Sequence, residues 1–311
     1  MSLSAGDLVA GRYKILSLLG QGGMASVYEA ADVSSGTNVA LKIMHEDQLL
    51  EPRRLKRFLS EFKILSRFND SSIVKVFDQE ETESKIPFFT MELIKGKSLA
   101  SIIKESKECR TKPTILRALS ILAEASEALE SVHHAGVVLC DFSPQNVIVL
   151  NSTDVEVPKL KLIDFGIALF IDSQTQEDLD SKAGTLQYVS PERLSKERVD
   201  FGSDMYSFGV AAFELLTGEL PFNPRVAYQM EFFHKLAKPP SARDKNPAIP
   251  ASLDKLMQRC MEKNKEDRFQ SMHEVTQQLE LIKSRMTQGS TLRRVLSRIP
   301  GISLLSGDEA R

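Results

Sequence analysis

The chain has 311 residues, 42% of them hydrophobic and 26% charged, an ordinary folded-protein composition with enough chain for two cores of moderate size, and this excludes disorder for most of it. Forty Lys and Arg against 42 Asp and Glu leave a net charge of −2. No whole-molecule positive field exists to recruit nucleic acid or an anionic membrane, so any phosphate-binding surface must be local.

From Tyr13 to about Glu92 short β-like runs (KILSLLG, ASVYEA, TNVALKIM, IVKVFD, FFTMEL) alternate with Gly, Asn, Asp and Ser turns. Between the first two runs lies the turn Gly20-Gln21-Gly22-Gly23, with Val27 after it, where backbone amides can approach phosphate without obstruction by Cβ atoms. A glycine cluster in a hairpin is by itself only a turn, and a dinucleotide-binding unit would require a helix directly after it, whereas a strand follows. In Val39-Ala40-Leu41-Lys42-Ile43 the period of two puts Ala40 and Lys42 on one strand face. Lys42 pointing toward the glycine turn could hold phosphate oxygens if an anion kept it charged and positioned. The one helix of this region, Pro52 to Phe68, carries Leu55, Phe58, Leu59, Phe62 and Leu65 at helical spacing and sets Glu61 at the edge of the apolar stripe as that anion.

After a connector at Ile94 to Lys97 long helices are predicted, first Ser98 to Ser106 and then Pro113 to His134, with Pro113 in the first turn and Gly136 past the end. Strand-like runs then bracket two acidic turns, Asp141-Phe142-Ser143-Pro144-Gln145-Asn146 and, 18 residues beyond Asn146, Asp164-Phe165-Gly166. An Asp, an Asn and a second Asp at neighbouring strand edges supply what phosphoryl transfer needs: an acceptor to orient a hydroxyl, and hard oxygen ligands for Mg²⁺. Helical patterns dominate to about Lys283. The expected division is a β-rich lobe at 1–92, a hinge at 93–97, a helical lobe at 98–283 and a tail at 284–311. The tail places Leu292, Val295, Leu296 and Ile299 beside Arg293, Arg294 and Arg298 ahead of Pro300. That pattern predicts an amphipathic helix lying on the domain or acting as a spacer, with a membrane-proximal or partner-binding helix as the alternative.

Cys109, Cys140 and Cys260 are odd in number and have no metal-like spacing, which predicts a reducing compartment without disulfides or zinc. The N-terminus lacks a basic stretch followed by an apolar core, and no run approaches the roughly 18 apolar residues of a membrane span. The expected location is the cytoplasm, for a whole protein or for the cytosolic part of a longer one.

Taken in order, Gly20-x-Gly22 with Val27, Val39-Ala40-Leu41-Lys42, Glu61, Asp141 to Asn146, Asp164-Phe165-Gly166, Ser190-Pro191-Glu192, Asp204 to Gly209 and Arg268 resemble a eukaryotic-type (Hanks-type) protein kinase domain over residues 13 to 282, most like the bacterial Ser/Thr protein kinases. The resemblance implies an α+β, two-lobed fold with ATP in the cleft and a protein as acceptor. It implies that Gly20, Gln21, Gly22 and Gly23 cover the phosphates and that Lys42, paired with Glu61, contacts them. Asn146 and Asp164 would hold Mg²⁺, with Mn²⁺ as the alternative ion, and Asp141 would orient the acceptor hydroxyl. Met91 would guard the back of the adenine pocket, Glu92 to Ile94 would form the hinge, and Val27, Ala40 and Ile148 would sandwich the base. Glu192 with Arg268 and Asp204 would be structural, and Thr185 would shape the site for a Ser or Thr acceptor.

The chain departs from the family at Leu139-Cys140-Asp141, where the pattern is His-Arg-Asp. Leu139 can still join Phe165 and Leu65 in an apolar spine. Cys140 removes an arginine that receives activation-loop phosphate, so activity should not depend, through that pocket, on phosphorylation of Ser173, Thr175, Ser181 or Thr185. Ser143 stands where the family has a lysine near the transferred phosphoryl group, and lost donors of this kind cost on the order of 10²–10³-fold in rate. Lys182 is a candidate to replace that charge. An active Ser/Thr kinase and a nucleotide-binding or scaffolding pseudokinase are therefore the two functions to separate. The acidic stretch from Gln174 to Asp180 reads either as a preference for basic substrates or as a solvated loop.

Overall fold

The computed structural model describes residues 3–109, 113–151, 158–175, 184–224 and 228–296. Within it the alternating runs form a six-stranded antiparallel sheet. Its strands are β1 (Leu8–Val9), β2 (Tyr13–Gln21), β3 (Ala25–Asp32), β4 (Thr37–Met44), β5 (Val76–Glu81) and β6 (Pro87–Glu92), in the spatial order β1-β2-β3-β4-β6-β5. Helix α1 (Pro52–Leu65) starts on Pro52, whose missing amide is no loss in a first turn. It lies on the sheet through Phe58 and Phe62, whose rings stand 5.3 and 5.9 Å from that of Phe89 on β6. Full burial of Phe58 contributes about 1.5–3 kcal/mol. This packing sets the rotation of α1 about its axis and turns Glu61 inward.

Strand β7 (Gly96–Ser98) leads into α2 (Leu99–Glu108), where the Ser98 hydroxyl accepts the Ser101 amide and caps the helix. Helix α3 (Ile115–His134) is capped by Thr114, so Pro113 precedes the cap instead of occupying the first turn expected from its position. Strands β8 (Val137–Val138), β9 (Val147–Leu150), β10 (Leu160–Leu162) and β11 (Leu169–Phe170) form two small sheets, β7-β9-β10 and β8-β11. The rest is helical: α4 (Pro191–Leu194), α5 (Phe201–Thr217), α6 (Tyr228–Leu236), α7 (Ala251–Cys260) and α8 (Met272–Leu296). Helix α5 is apolar on nearly every side and is buried among α3, α7 and their neighbours, as an all-round hydrophobic helix must be. A second core runs from Leu119 and Leu129 on α3 through Phe208 and Phe213 on α5 to Leu256 on α7 and Val275 on α8.

Helix α8 continues unbroken through residues 283 and 284, where the sequence suggested a division between helical lobe and tail. Of the tail pattern, Arg298, Ile299 and Pro300 lie outside the described residues. No helix among the described residues is long and apolar enough to cross a membrane.

Candidate active site

The β2–β3 turn brings Gly20, Gly22, Gly23 and Val27 over a cavity of about 720 Å³ that Lys42, Asp141 and Asp164 also line. Strand β4 delivers Lys42, directly opposite Val27 in the β3–β4 register, and α1 delivers Glu61. Lys42 Nζ donates to Glu61 Oε1 at 2.6 Å and Oε2 at 2.9 Å and lies 3.5 Å from Asp164 Oδ1. Glu61 is buried. Desolvation works against the charge on Lys42, but the carboxylates of Glu61 and Asp164 outweigh it and hold the ammonium above the ordinary lysine range. On Glu61 burial is the largest influence and pushes the carboxyl upward, against the pull of Lys42.

Asp164 follows β10, whose end is tied to the sheet-bearing part of the chain: Leu162 N donates to Ser72 O at 2.8 Å and Val74 N to Leu162 O at 3.0 Å. Its Oδ1 accepts the Gly166 amide at 3.0 Å. Phe165 is buried beside Phe68, with ring centroids 5.7 Å apart, and Leu65, Leu139 and Phe165 share one apolar cluster. Asp141 follows β8 and takes the Thr185 amide on Oδ1 at 2.9 Å. Burial pushes its carboxyl up, against hydrogen bonding from Thr185, toward the range in which a carboxylate can accept a proton. Asn146 Nδ2 donates to Asp141 O at 3.0 Å.

The segment carrying Asp141 hangs from α5. Asp204 Oδ2 accepts Leu139 N at 2.8 Å, Oδ1 accepts Cys140 N at 2.8 Å, and His133 Nε2 lies 2.9 Å from Oδ2. The bracing by Asp204 follows the expectation, whereas the His133 contact had no signal in the sequence. Cys140 holds a left-handed backbone, φ 66°, an uncommon conformation for a residue with a side chain. Its side chain packs with Val138 and Val199, and its carbonyl accepts Arg193 Nη1 at 2.8 Å. The Ser143 hydroxyl is fully buried and makes no hydrogen bond to the described residues. Lys182 and Ser181 lie outside the described residues.

Other expected residues are not among those that line this cavity. Ala40 is paired with Met91 across β4 and β6, Ile148 lies on β9 opposite Ser98, and Gln21 pairs with Ser26 at the end of the hairpin. The Glu92 carboxylate accepts Lys161 Nζ at 2.6 Å and Lys75 N at 2.8 Å. The chain must then pass close to β9: a Cβ on Gly96 would stand 2.4 Å from Val149 O and 2.7 Å from the Ile148 side chain, and only glycine fits. Sequence reasoning missed Arg53, Arg54 and Arg57 of α1, which line the same cavity as Asp141 and Asp164.

A family model described as protein kinase domain matches residues 13–279. The chain is 32% identical over 263 residues to the serine/threonine-protein kinase Pkn1 of Myxococcus xanthus, covering 84% of this chain and 37% of that protein. To the serine/threonine-protein kinase PrkC of Bacillus subtilis it is 31% identical over 270 residues, covering 87% of this chain and 40% of that protein. It thus spans less than half the length of these curated relatives. The kinase domain of PknI from Mycobacterium tuberculosis, in a double-mutant form, matches with a TM-score of 0.71 at 22% identity, covering 91% of this chain and 100% of that one, a likeness of fold. With a match that runs from the first long strand to α8, this chain belongs to the protein kinase domain family.

Proposed function

We propose that the domain transfers the γ-phosphoryl group of ATP to a Ser or Thr hydroxyl of a protein, with Mg²⁺ as the working ion and Mn²⁺ as the alternative. The observation that supports this most is the buried Lys42–Glu61 pair opening on the same cavity as Asp141 and Asp164. In this reading the amides of Gly20, Gln21, Gly22 and Gly23 cover the phosphates and Lys42 holds them. Glu92 and Ile94 meet the adenine edge through their backbone, Met91 closes the pocket behind it, and Val27, Ala40 and Ile148 pack against its faces. The acceptor oxygen bonds to the γ-phosphorus as the bond to the bridging oxygen breaks, ADP leaves, and the hydroxyl proton passes to Asp141.

Asn146 and Asp164 offer one amide oxygen and one carboxylate, the donors Mg²⁺ takes alongside nucleotide phosphates. The Asn146 nitrogen is spent on Asp141 O, which leaves its oxygen for a cation. Bound there, the ion would neutralise phosphate charge. A cytoplasmic setting suits this chemistry and three free cysteines, and a net charge of −2 favours protein over nucleic acid as the partner.

The buried Ser143 hydroxyl, in place of a lysine, favours a second reading, a pseudokinase that binds nucleotide and partners without transfer. Intact mass after incubation with Mg-ATP and Ser-containing peptides, for wild type and Asp141→Asn, separates the two. Phosphate added by the wild type alone supports the kinase. Mg-ATP binding with no added phosphate on protein or peptide supports the pseudokinase.

A further inference from the structure

Glu61 fixes which face of α1 looks into the cleft, and the residues one and two turns before it on that face are Arg57 and Arg53, spaced about 6 Å along the axis. Together with Arg54 they border the opening that holds Asp141, Asp164 and the glycine turn at Gly22, Gly23 and Met24; among the described residues Lys42 and Glu51 are the other charged ones that line it. The row continues outward. A neighbouring cavity of about 300 Å³, between α1 and the chain from Gly166 to Phe170, is lined by Arg53, Lys56, Arg57, Lys63, Arg67 and Arg193, with no carboxylate among the described residues of its walls. A protein of net charge −2 therefore concentrates its cations on one side of the site where an acceptor hydroxyl must arrive.

We propose that the acceptor is an acidic protein segment, whose Asp and Glu side chains next to the phosphorylated residue are recognised by the basic row of α1. The proposal rests on the kinase reading for its acceptor, but the recognition itself needs no turnover. Existing contacts leave the row able to exchange partners: Arg54, exposed, touches Gln48, and Arg67 stacks on the Phe170 ring at 4.3 Å. Arg53, Arg57 and Arg193 each have interactions within the chain as well, with which incoming carboxylates would compete. Exposed ion pairs are weak singly, and three together give about a tenfold preference, visible as salt-dependent binding and a lower KM. The stretch from Gln174 to Asp180, read from sequence either as a preference for basic substrates or as a solvated loop, lies outside the described residues from 176 onward.

The test is fluorescence anisotropy of Ser-centred peptides flanked by Glu, Ala or Lys, with the full chain, Mg²⁺ and a non-hydrolysable ATP analogue, at low and high salt. Expected is about tenfold tighter binding of the Glu peptide, reduced by salt, lost in the Arg53→Gln/Arg54→Gln double variant and inverted in Arg53→Glu/Arg54→Glu, with unchanged Tm showing that both variants fold. Equal affinities, no binding by any peptide, or a Glu preference that survives both double variants would overturn the proposal. Turnover of the same peptides is read separately: absence of transfer with the binding preference intact counts against the kinase reading alone.

Discussion

Glu192 and Arg268, 76 residues apart in sequence, meet in a bidentate ion pair with both N···O distances at 2.9 Å, and Arg268 has no exposed surface. The remaining guanidinium hydrogens go to Glu262, Gly202 and Lys263 carbonyls, so the pair ties α4 to the start of α5 and to the loop before α8.

Breaking that pair from one side strands a buried charge. Glu192→Gln should cost about 3–5 kcal/mol of stability, measured by urea unfolding. Burial alone would raise the Glu192 carboxyl, but hydrogen bonds and charge from Arg268 hold it below the usual carboxylate range. A depressed carboxyl stabilises the fold above its unfolded pKa of about 4.3, and this is lost as pH falls through the lower folded value. A Glu192→Gln/Arg268→Met double variant should lack that acid-side decline.

At Glu61 the sign is opposite. Its carboxyl is raised by burial, so its contribution to stability is present at low pH and lost as pH rises through the raised value. Function runs the other way, because a protonated Glu61 no longer holds Lys42. The kcat/KM for ATP should fall on the acid side of that value. Glu61→Gln should lower kcat/KM by about 10²-fold through misplacement of Lys42 and abolish the acid limb; a limb that persists in the variant would assign it elsewhere.

Ser143 carries a buried hydroxyl without a hydrogen-bond partner among the described residues. Its removal by Ser143→Ala should leave the urea midpoint unchanged or raise it, since an unsatisfied buried polar group costs about 1–3 kcal/mol. Ser143→Lys restores a cation where charge develops, and turnover should rise by about 10²-fold. A Lys variant no faster than wild type would show that the missing charge is not what limits the rate.

Gly96 leaves no room for a methyl group against Val149 O. Gly96→Ala should cost about 1–3 kcal/mol through forced backbone movement, and because β7 adjoins the proposed hinge, nucleotide affinity should weaken with it in a calorimetric titration.

The elements that position the site were legible because each has a periodicity that only one structure satisfies. The alternation of Val39 to Ile43 put Lys42 on its strand face, and the stripe from Leu55 to Leu65 put Glu61 beside it. Hidden features have no such signature. An Arg at position 53 or 57 looks in sequence like any solvated helix residue, and only the packing of Phe58 and Phe62 on Phe89 reveals that this face turns toward the cleft. The buried state of the Ser143 hydroxyl, the left-handed Cys140 and the passage of α8 beyond Lys283 depend on neighbours far along the chain, which no local pattern encodes.

The two amides that Asp204 accepts, those of Leu139 and Cys140, belong to the chain that carries Asp141, while the carboxylate belongs to the most deeply buried helix. The geometry around Asp141 is therefore acquired when the protein folds and is already in place before any nucleotide arrives. Deuterium uptake at these two positions should proceed only through global unfolding, at the same slow rate with the cleft empty or filled.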